Sequence, residues 1–379
     1  MSKYTLEEIP PDSYFSQNVS LDDEFLLTTP EIPFSNELKK TLQDWRFKAV
    51  FSNGEPQKTG ESLQDNTQSI KYSFTNQNDG EKIKEAEKFY LAFQEYAEKV
   101  FTRLISQNKL EFNPVAETIK SACGVIQRNQ RYILRVLQTA EPHAEKNYLT
   151  SHVVQSTIIA LVIGSYLKLP SHRLIELGVA ALFHEVGMLK LPSQVILSSQ
   201  PLTLPEQKAL QTHPILGYGF LKSFDFPLAI SVVALEHHER ENGSGYPRKL
   251  TGDRISLYSK IVAVACSWEA LSAVRPYKEA KDGFSGMLEL LKNEGKQYDN
   301  TVIRALICSL SIYPIGLYVL LSNGKKAQVV DVNPENPRFP IVQLLEEFTP
   351  GGQKKILVTS EDGDGVFIVS SLTPEEAGV

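Results

Sequence analysis

PLAISVVALEHHERENGSGYP, residues 227–247, is the stretch on which the fold turns. Its apolar first half has the density of a buried helix and ends on His237-His238. Asn242-Gly243 and Gly245 follow at once, so the helix must stop and the chain must enter a tight loop. Two imidazoles therefore project from a helix terminus. Upstream, LIELGVAALFHE closes another helix on His184-Glu185, with Gly187 placed to cap it and Pro192 to prevent its continuation. His213 precedes Pro214, which disfavours α geometry at the histidine and suits the first position of a new helix. His152 lies on the apolar helix HVVQSTIIALVIGSYL, where a lone histidine is more often a satisfied core residue than a ligand. Of the seven histidines in the chain, five (His152, His184, His213, His237, His238) stand out in this helical region. Each alone reads as a surface or capping residue; converging from helix ends, they point to metal.

Outward from this stretch, residues 142–311 read as helix after helix with short punctuated turns, and no strand alternation survives there. Residues 81–141 carry apolar side chains at three- and four-residue steps, broken before Pro114, and read as a helical hairpin. The hairpin is a candidate dimerisation or signal-transmitting element, with plain packing as the alternative. Residues 54–80 turn to Asn, Gln, Ser, Gly and charge and read as a polar linker. Residues 1–53 alternate short apolar runs with Pro and Asn, a strand-rich α/β module with one helix near Glu37. Residues 312–379 contain GLYVLLSNGKKAQVVDV, in which Ser322-Asn323-Gly324 joins two apolar runs as a hairpin turn does, so the end of the chain reads as a small β module. The fold class expected is mainly α: an all-helical bundle between two small flanking modules.

Composition narrows the function. The 379 residues are 42% hydrophobic and 22% charged, enough for a sizeable core. The net charge of -6 disfavours long nucleic acid, which needs a basic face, while a small anionic ligand requires only a few local cations. The apolar runs stop short of the roughly 20 residues that span a bilayer, and the N-terminus has no secretory pattern, so no membrane insertion and a cytoplasmic location are expected. Cys123, Cys266 and Cys308 are too scattered for a disulfide framework.

The order His152, FHEVG, HPILG, HHERENGSGYP, Cys266, RPYK resembles the HD-GYP branch of the HD metal-dependent phosphohydrolases, whose pattern runs H…HD…HPxxG…HHExxxGxGYP…D…RPYK. The resemblance covers residues 147–278, and the continuation RISLYSKIVAVACSWEALSAVRPY follows the family almost position for position. It implies a phosphodiesterase that hydrolyses cyclic di-GMP or a related cyclic dinucleotide with two divalent transition-metal ions, iron or manganese first and zinc as an alternative. Carried over by motif, His152 and His184 would hold one ion, and His213, His237 and His238 the other. Glu185 would bridge them where the family has aspartate, and His184 and Glu185 would form the catalytic pair. Gly245, Tyr246, Pro247, Arg275 and Lys278 would bind substrate, Arg275 as a planar fork and Lys278 as a point charge. Three positions depart from the family. Glu185 is one methylene longer than aspartate. Cys266 stands where an aspartate ligand is expected, either a thiolate ligand or a small buried residue. Met188 replaces the lysine of HDxGK, and nearby Lys190 is displaced by two residues. The expectation is an enzyme of reduced activity. The alternative is a degenerate receptor that binds a cyclic dinucleotide or a signalling protein partner in the same pocket.

Overall fold

The computed structural model describes residues 2–10, 13–17, 19–20, 26–28, 34–44, 47–57, 79–139, 148–192, 203–272, 283–333, 335–361, 363 and 365–379. Arg275, Pro276, Tyr277 and Lys278, and residues 58–78 of the expected linker, lie outside them.

The chain begins with short antiparallel strands: β1 (Ser2–Thr5), β2 (Tyr14–Phe15), β3 (Val19–Ser20), β4 (Leu26–Thr28), β5 (Ala49–Ser52) and β6 (Pro56–Gln57). Four form a sheet in the order β1-β5-β3-β4, and β2 pairs with β6. Helix α1 (Asn36–Asp44) buries Leu38 and Leu42. This module touches the helical body where Ser171 Oγ donates to Leu27 O (3.2 Å). The last strand lies beyond residue 53, so the strand-rich segment runs further than its composition suggests.

Helices α2 (Asp79–Gln107) and α3 (Phe112–Thr139) pack on each other, with α3 kinked at Asn129 (φ -126°, ψ 22°). At the centre of the body is α4 (Tyr148–Tyr166), which is apolar on every side because it is packed on every side. It lies against α3, α5 (Ser171–Phe183), α9 (Leu257–Ser272) and α11 (Asn300–Leu310). By length and hydropathy α4 alone among the described helices could cross a bilayer, against the expectation of no such segment. Of its most apolar window 72% is nonetheless buried inside the protein, which is the signature of a core helix. The remaining helical segments of the body are two 3-10 turns (Val186–Lys190 and Gly252–Arg254), α6 (Leu204–Leu210), α7 (His213–Ser223), α8 (Leu228–Glu236) and α10 (Gly283–Lys292). Their ends follow local chemistry. Thr203 and Glu206 form a capping box at α6, and Asp299 accepts from Thr301 N and Val302 N at α11.

The C-terminal residues form β7 (Tyr318–Leu321), β8 (Lys326–Asp331), β9 (Ile341–Phe348), β10 (Lys354–Val358) and β11 (Ile368–Leu372), one antiparallel sheet ordered β10-β9-β8-β7-β11 and closed by α12 (Pro374–Ala377). Gly324, at φ +77°, makes the expected turn between β7 and β8. Arg135 Nη2 donates to Gln328 Oε1 (3.0 Å), tying this sheet to α3. The fold is thus mainly helical, with small sheets at either end.

Candidate metal centre

The five histidines meet at helix ends. His184 follows the last residue of α5, His213 opens α7 beside Pro214, and His237 and His238 follow α8. His152 differs, lying within α4. All but His238 are nearly or wholly buried. One turn is drawn tight by glycine. A Cβ on Gly187 would stand 2.0 Å from His213 O and 2.6 Å from Gly217 N, so only glycine lets the 3-10 turn carrying Glu185 press against the start of α7. Gly187 has no positive φ, so it is a contact glycine and does not cap α5 as expected; the helix instead runs through His184 in α geometry into the 3-10 turn.

The ring nitrogens define what the cluster can accept. Nδ1 of His184 lies 2.6 Å from Ala181 O, Nδ1 of His213 lies 2.7 Å from Leu210 O, and Nδ1 of His237 lies 3.0 Å from Ala234 O. A carbonyl oxygen only accepts, so each Nδ1 carries the proton. Nδ1 of His152 is bound to the carboxylate of Glu269. Each Nε2 is then a lone pair, and the lone pairs face each other: His152 and His184 across 3.3 Å, His213 and His237 across 3.2 Å. Glu185 stands between the pairs. Its Oε2 is 3.2 Å from His213 Nε2, yet without a hydrogen bond, and its Oε1 is 3.8 Å from both His152 Nε2 and His237 Nε2.

Burial lowers the pKa of His184, His213 and His238, in each case working against the raising effect of Glu185, so these rings are neutral near pH 7. Burial raises the pKa of Glu185, and positive charge on His213, His237 and His184 lowers it further than burial raises it; with those rings neutral, a bound cation is the charge that would hold the carboxyl ionised. A carboxylate with an unsatisfied buried oxygen, ringed by opposed nitrogen lone pairs, is a donor set that lacks its acceptor. A divalent cation supplies one. The ligand atoms form two groups, His152, His184 and Glu185 in one and Glu185, His213, His237 and His238 in the other, each within 4.8 Å.

Cys266 joins neither group. It is buried on α9 with Sγ 3.4 Å from Ala263 O, which fits the small-buried-residue alternative. Met188 is half-buried in the 3-10 turn, and Lys190 does not replace a lysine there, since its ammonium lies over the Phe220 ring at 4.5 Å. Tyr246 stacks on His238 with ring centres 4.6 Å apart, and burial followed by Glu185 raises its pKa, so it stays a neutral phenol. Gly245 permits this stack: a Cβ there would lie 2.3 Å from His238 O. Pro247 follows in the same loop.

Two acids were given no role in the motif-based expectation. Glu239 is buried and accepts from Arg248 N (2.7 Å) and Leu250 N (2.9 Å), clamping the loop that carries Tyr246. Its signal was its place as the acid of the HHExxxGxGYP pattern, directly after His238. Glu269 is the sole acid of α9, and an acid on an otherwise apolar buried helix was the sign available.

The HD domain family pattern matches residues 124–302. Among curated proteins, the chain is similar to the cyclic di-GMP phosphodiesterase PdeB of Borreliella burgdorferi (28% identical, covering 54% of each chain). It is also similar to a cyclic di-GMP phosphodiesterase of Pseudomonas aeruginosa (31% identical, covering 53% of this chain and 48% of the other). The chain thus spans about half the length of these curated relatives. Among solved structures, an HDG"Y"P protein from Bdellovibrio bacteriovorus shares the fold with a TM-score of 0.50 at 16% identity, over 80% of this chain and 97% of that one. Residues 124–302 thus match the HD domain family, and the histidines they carry stand in the order of its HD-GYP branch.

Proposed function

We propose that this protein is a cytoplasmic, metal-dependent phosphodiesterase acting on cyclic di-GMP or a related cyclic dinucleotide, with activity restrained by its departures from the family. The observation that carries this reading is the buried set of opposed Nε2 lone pairs around Glu185. Selection for packing alone gives no reason to bury so many unsatisfied acceptors together. Two divalent ions, iron or manganese before zinc, would be held by His152, His184, His213, His237 and His238 with Glu185 shared between them. When bound, such ions supply Lewis acidity toward a phosphodiester and acidify a water. The chain's own part is positioning: Nδ1 bonds fix each ring, Tyr246 and Gly245-Pro247 wall the site beside His238, and Arg275 and Lys278 are assigned to the substrate phosphates. Both curated relatives are named as cyclic di-GMP phosphodiesterases, which supports the substrate class. Exposed Leu91 and Ile105 on α2 make the hairpin the candidate face for a homodimer or a signalling partner.

The receptor reading is favoured by one observation. With methionine at 188 and Lys190 engaged by Phe220, neither side chain adds a cation to the cluster. Losing one such stabiliser typically costs on the order of 10²–10³ in rate. Hydrolysis should therefore be slow in the wild type and rise in Met188→Lys and in the triple reversion Glu185→Asp, Met188→Lys, Cys266→Asp, measured with manganese and with ferrous iron. A wild type that already matches its revertants would remove the restraint from this proposal. No hydrolysis in any of them, with no metal taken up, would remove the enzyme.

A further inference from the structure

We infer that Glu269 is a positioning residue for the His152 half of the cluster, a role that rests on the metal-dependent reading above. The reason lies in where each histidine sits on its helix. The last carbonyls of a helix have no intrahelical partner. His184 and His237 stand at the ends of α5 and α8 and spend their Nδ1 protons on such carbonyls, Ala181 O and Ala234 O; His213 does the same with Leu210 O at the end of α6. The backbone itself fixes those rings. His152 is inside α4, where the preceding turn's carbonyls are claimed by the helix, so its Nδ1 must find an acceptor on another element. That acceptor is Glu269, reaching from α9, 117 residues along the chain and itself 3% exposed.

A carboxylate differs from a carbonyl in more than location. It brings a full negative charge to the back of the ring, which makes the facing Nε2 a stronger donor and holds the ring in one tautomer. The charge stands behind the smaller ligand group: His152 and His184 share Glu185 with a group that has three histidines of its own. Glu269 therefore offsets the missing ligand on its side. A hydroxyl network backs the same wall, for Tyr90 Oη on α2 accepts from Gln155 Nε2 (2.8 Å) and Gln94 Nε2 (2.9 Å), and Gln94 also donates to Ser151 Oγ (3.2 Å) beside His152. Burial first, and the Glu269 charge among the other causes, push Tyr90 up to about 12.

The test is a manganese titration of the full chain by calorimetry, followed by electron paramagnetic resonance for the exchange-coupled signal of an ion pair. The proteins are wild type, Glu269→Gln, Glu269→Asp and His152→Ala. Glutamine keeps the volume and an accepting oxygen and removes only the charge, so the fold survives it. The expected result is two binding steps in the wild type, with one step weakened about 10–100-fold in Glu269→Gln. That step should be the one lost in His152→Ala, with the coupled signal falling in proportion and Glu269→Asp recovering part of it. Two unchanged steps in Glu269→Gln would overturn the role while leaving the proposed function standing. Equal weakening of both steps would also overturn it, since a merely structural residue acts on both. A wild type that binds no manganese would remove the proposed function and this role together.

Discussion

Gly187→Ala is the smallest change that should dismantle the site from outside it. The added methyl would sit 2.0 Å from His213 O, 2.6 Å from Gly217 N and 2.9 Å from His213 C, all backbone atoms that cannot rotate away. Ordinary carbon contacts begin near 3.5 Å, so the 3-10 turn and α7 must part by more than about 1 Å. Glu185 rides on one side of that seam and His213 on the other, with Oε2 and Nε2 now 3.2 Å apart. Metal–ligand distances tolerate roughly ±0.2 Å, so the same displacement moves one ligand out of reach. Overpacking of this kind costs about 1–3 kcal/mol, and metal affinity should fall by at least about tenfold. Gly219→Ala is the control. It lies on the same helix with nothing within 4 Å of its Cβ, so alanine there should stabilise by about 0.5–1 kcal/mol. Thermal melting and manganese titration of both variants decide the matter. A Gly187→Ala protein with wild-type melting and wild-type metal binding would refute the seating of the turn on α7.

His172 offers a pH prediction: it is 1% exposed, neither ring nitrogen has a hydrogen-bond partner among the described residues, and burial, followed by the Arg173 charge, lowers its pKa to about 4. The unfolded chain takes up the proton first as pH falls, so this contribution to stability is complete above about pH 6.5 and is lost toward pH 4, a change of about 3 kcal/mol. Denaturant unfolding of His172→Leu between pH 7 and 4.5 should show a flatter dependence than the wild type, and equal slopes would contradict the prediction. In Glu239→Gln an amide N–H must face Arg248 N or Leu250 N in place of an accepting oxygen, a loss of about 1–3 kcal/mol in the loop. Hydrogen exchange at those two amides should quicken; unchanged protection would show that the loop is held by other contacts.

How much of this was legible in the sequence depends on whether the determining contact was local. Proline, glycine and the apolar runs mark where α5, α7 and α8 begin or end, and those are local facts, so the placing of His184, His213, His237 and His238 at helix termini could be read directly. Gly187 could be seen as a required glycine, but not why, because a capping glycine and a contact glycine look alike until φ and the facing backbone are known. The helix α4 likewise shows only its apolar face to a reader of sequence; that protein rather than lipid surrounds it is a property of α5, α9 and α11.

The same division runs through the metal centre itself. A histidine at a helix end has a backbone carbonyl one turn back in its own chain segment to take its Nδ1 proton, so a sequence that punctuates the helix correctly has also specified the tautomer. A histidine within a helix has no such acceptor, and its partner must come from elsewhere. His152 and Glu269 are joined across 117 residues by packing of α4 on α9, which no spacing rule encodes. The resemblance to a known pattern therefore finds the proposed ligands and leaves unread the residue proposed to position one of them. In this chain that residue is also acidic, and it stands one helical turn after Cys266, where the family's own acid is absent. In the proposed centre, Glu269 stands behind His152 rather than among the ligand atoms, where Glu185 remains the one carboxylate.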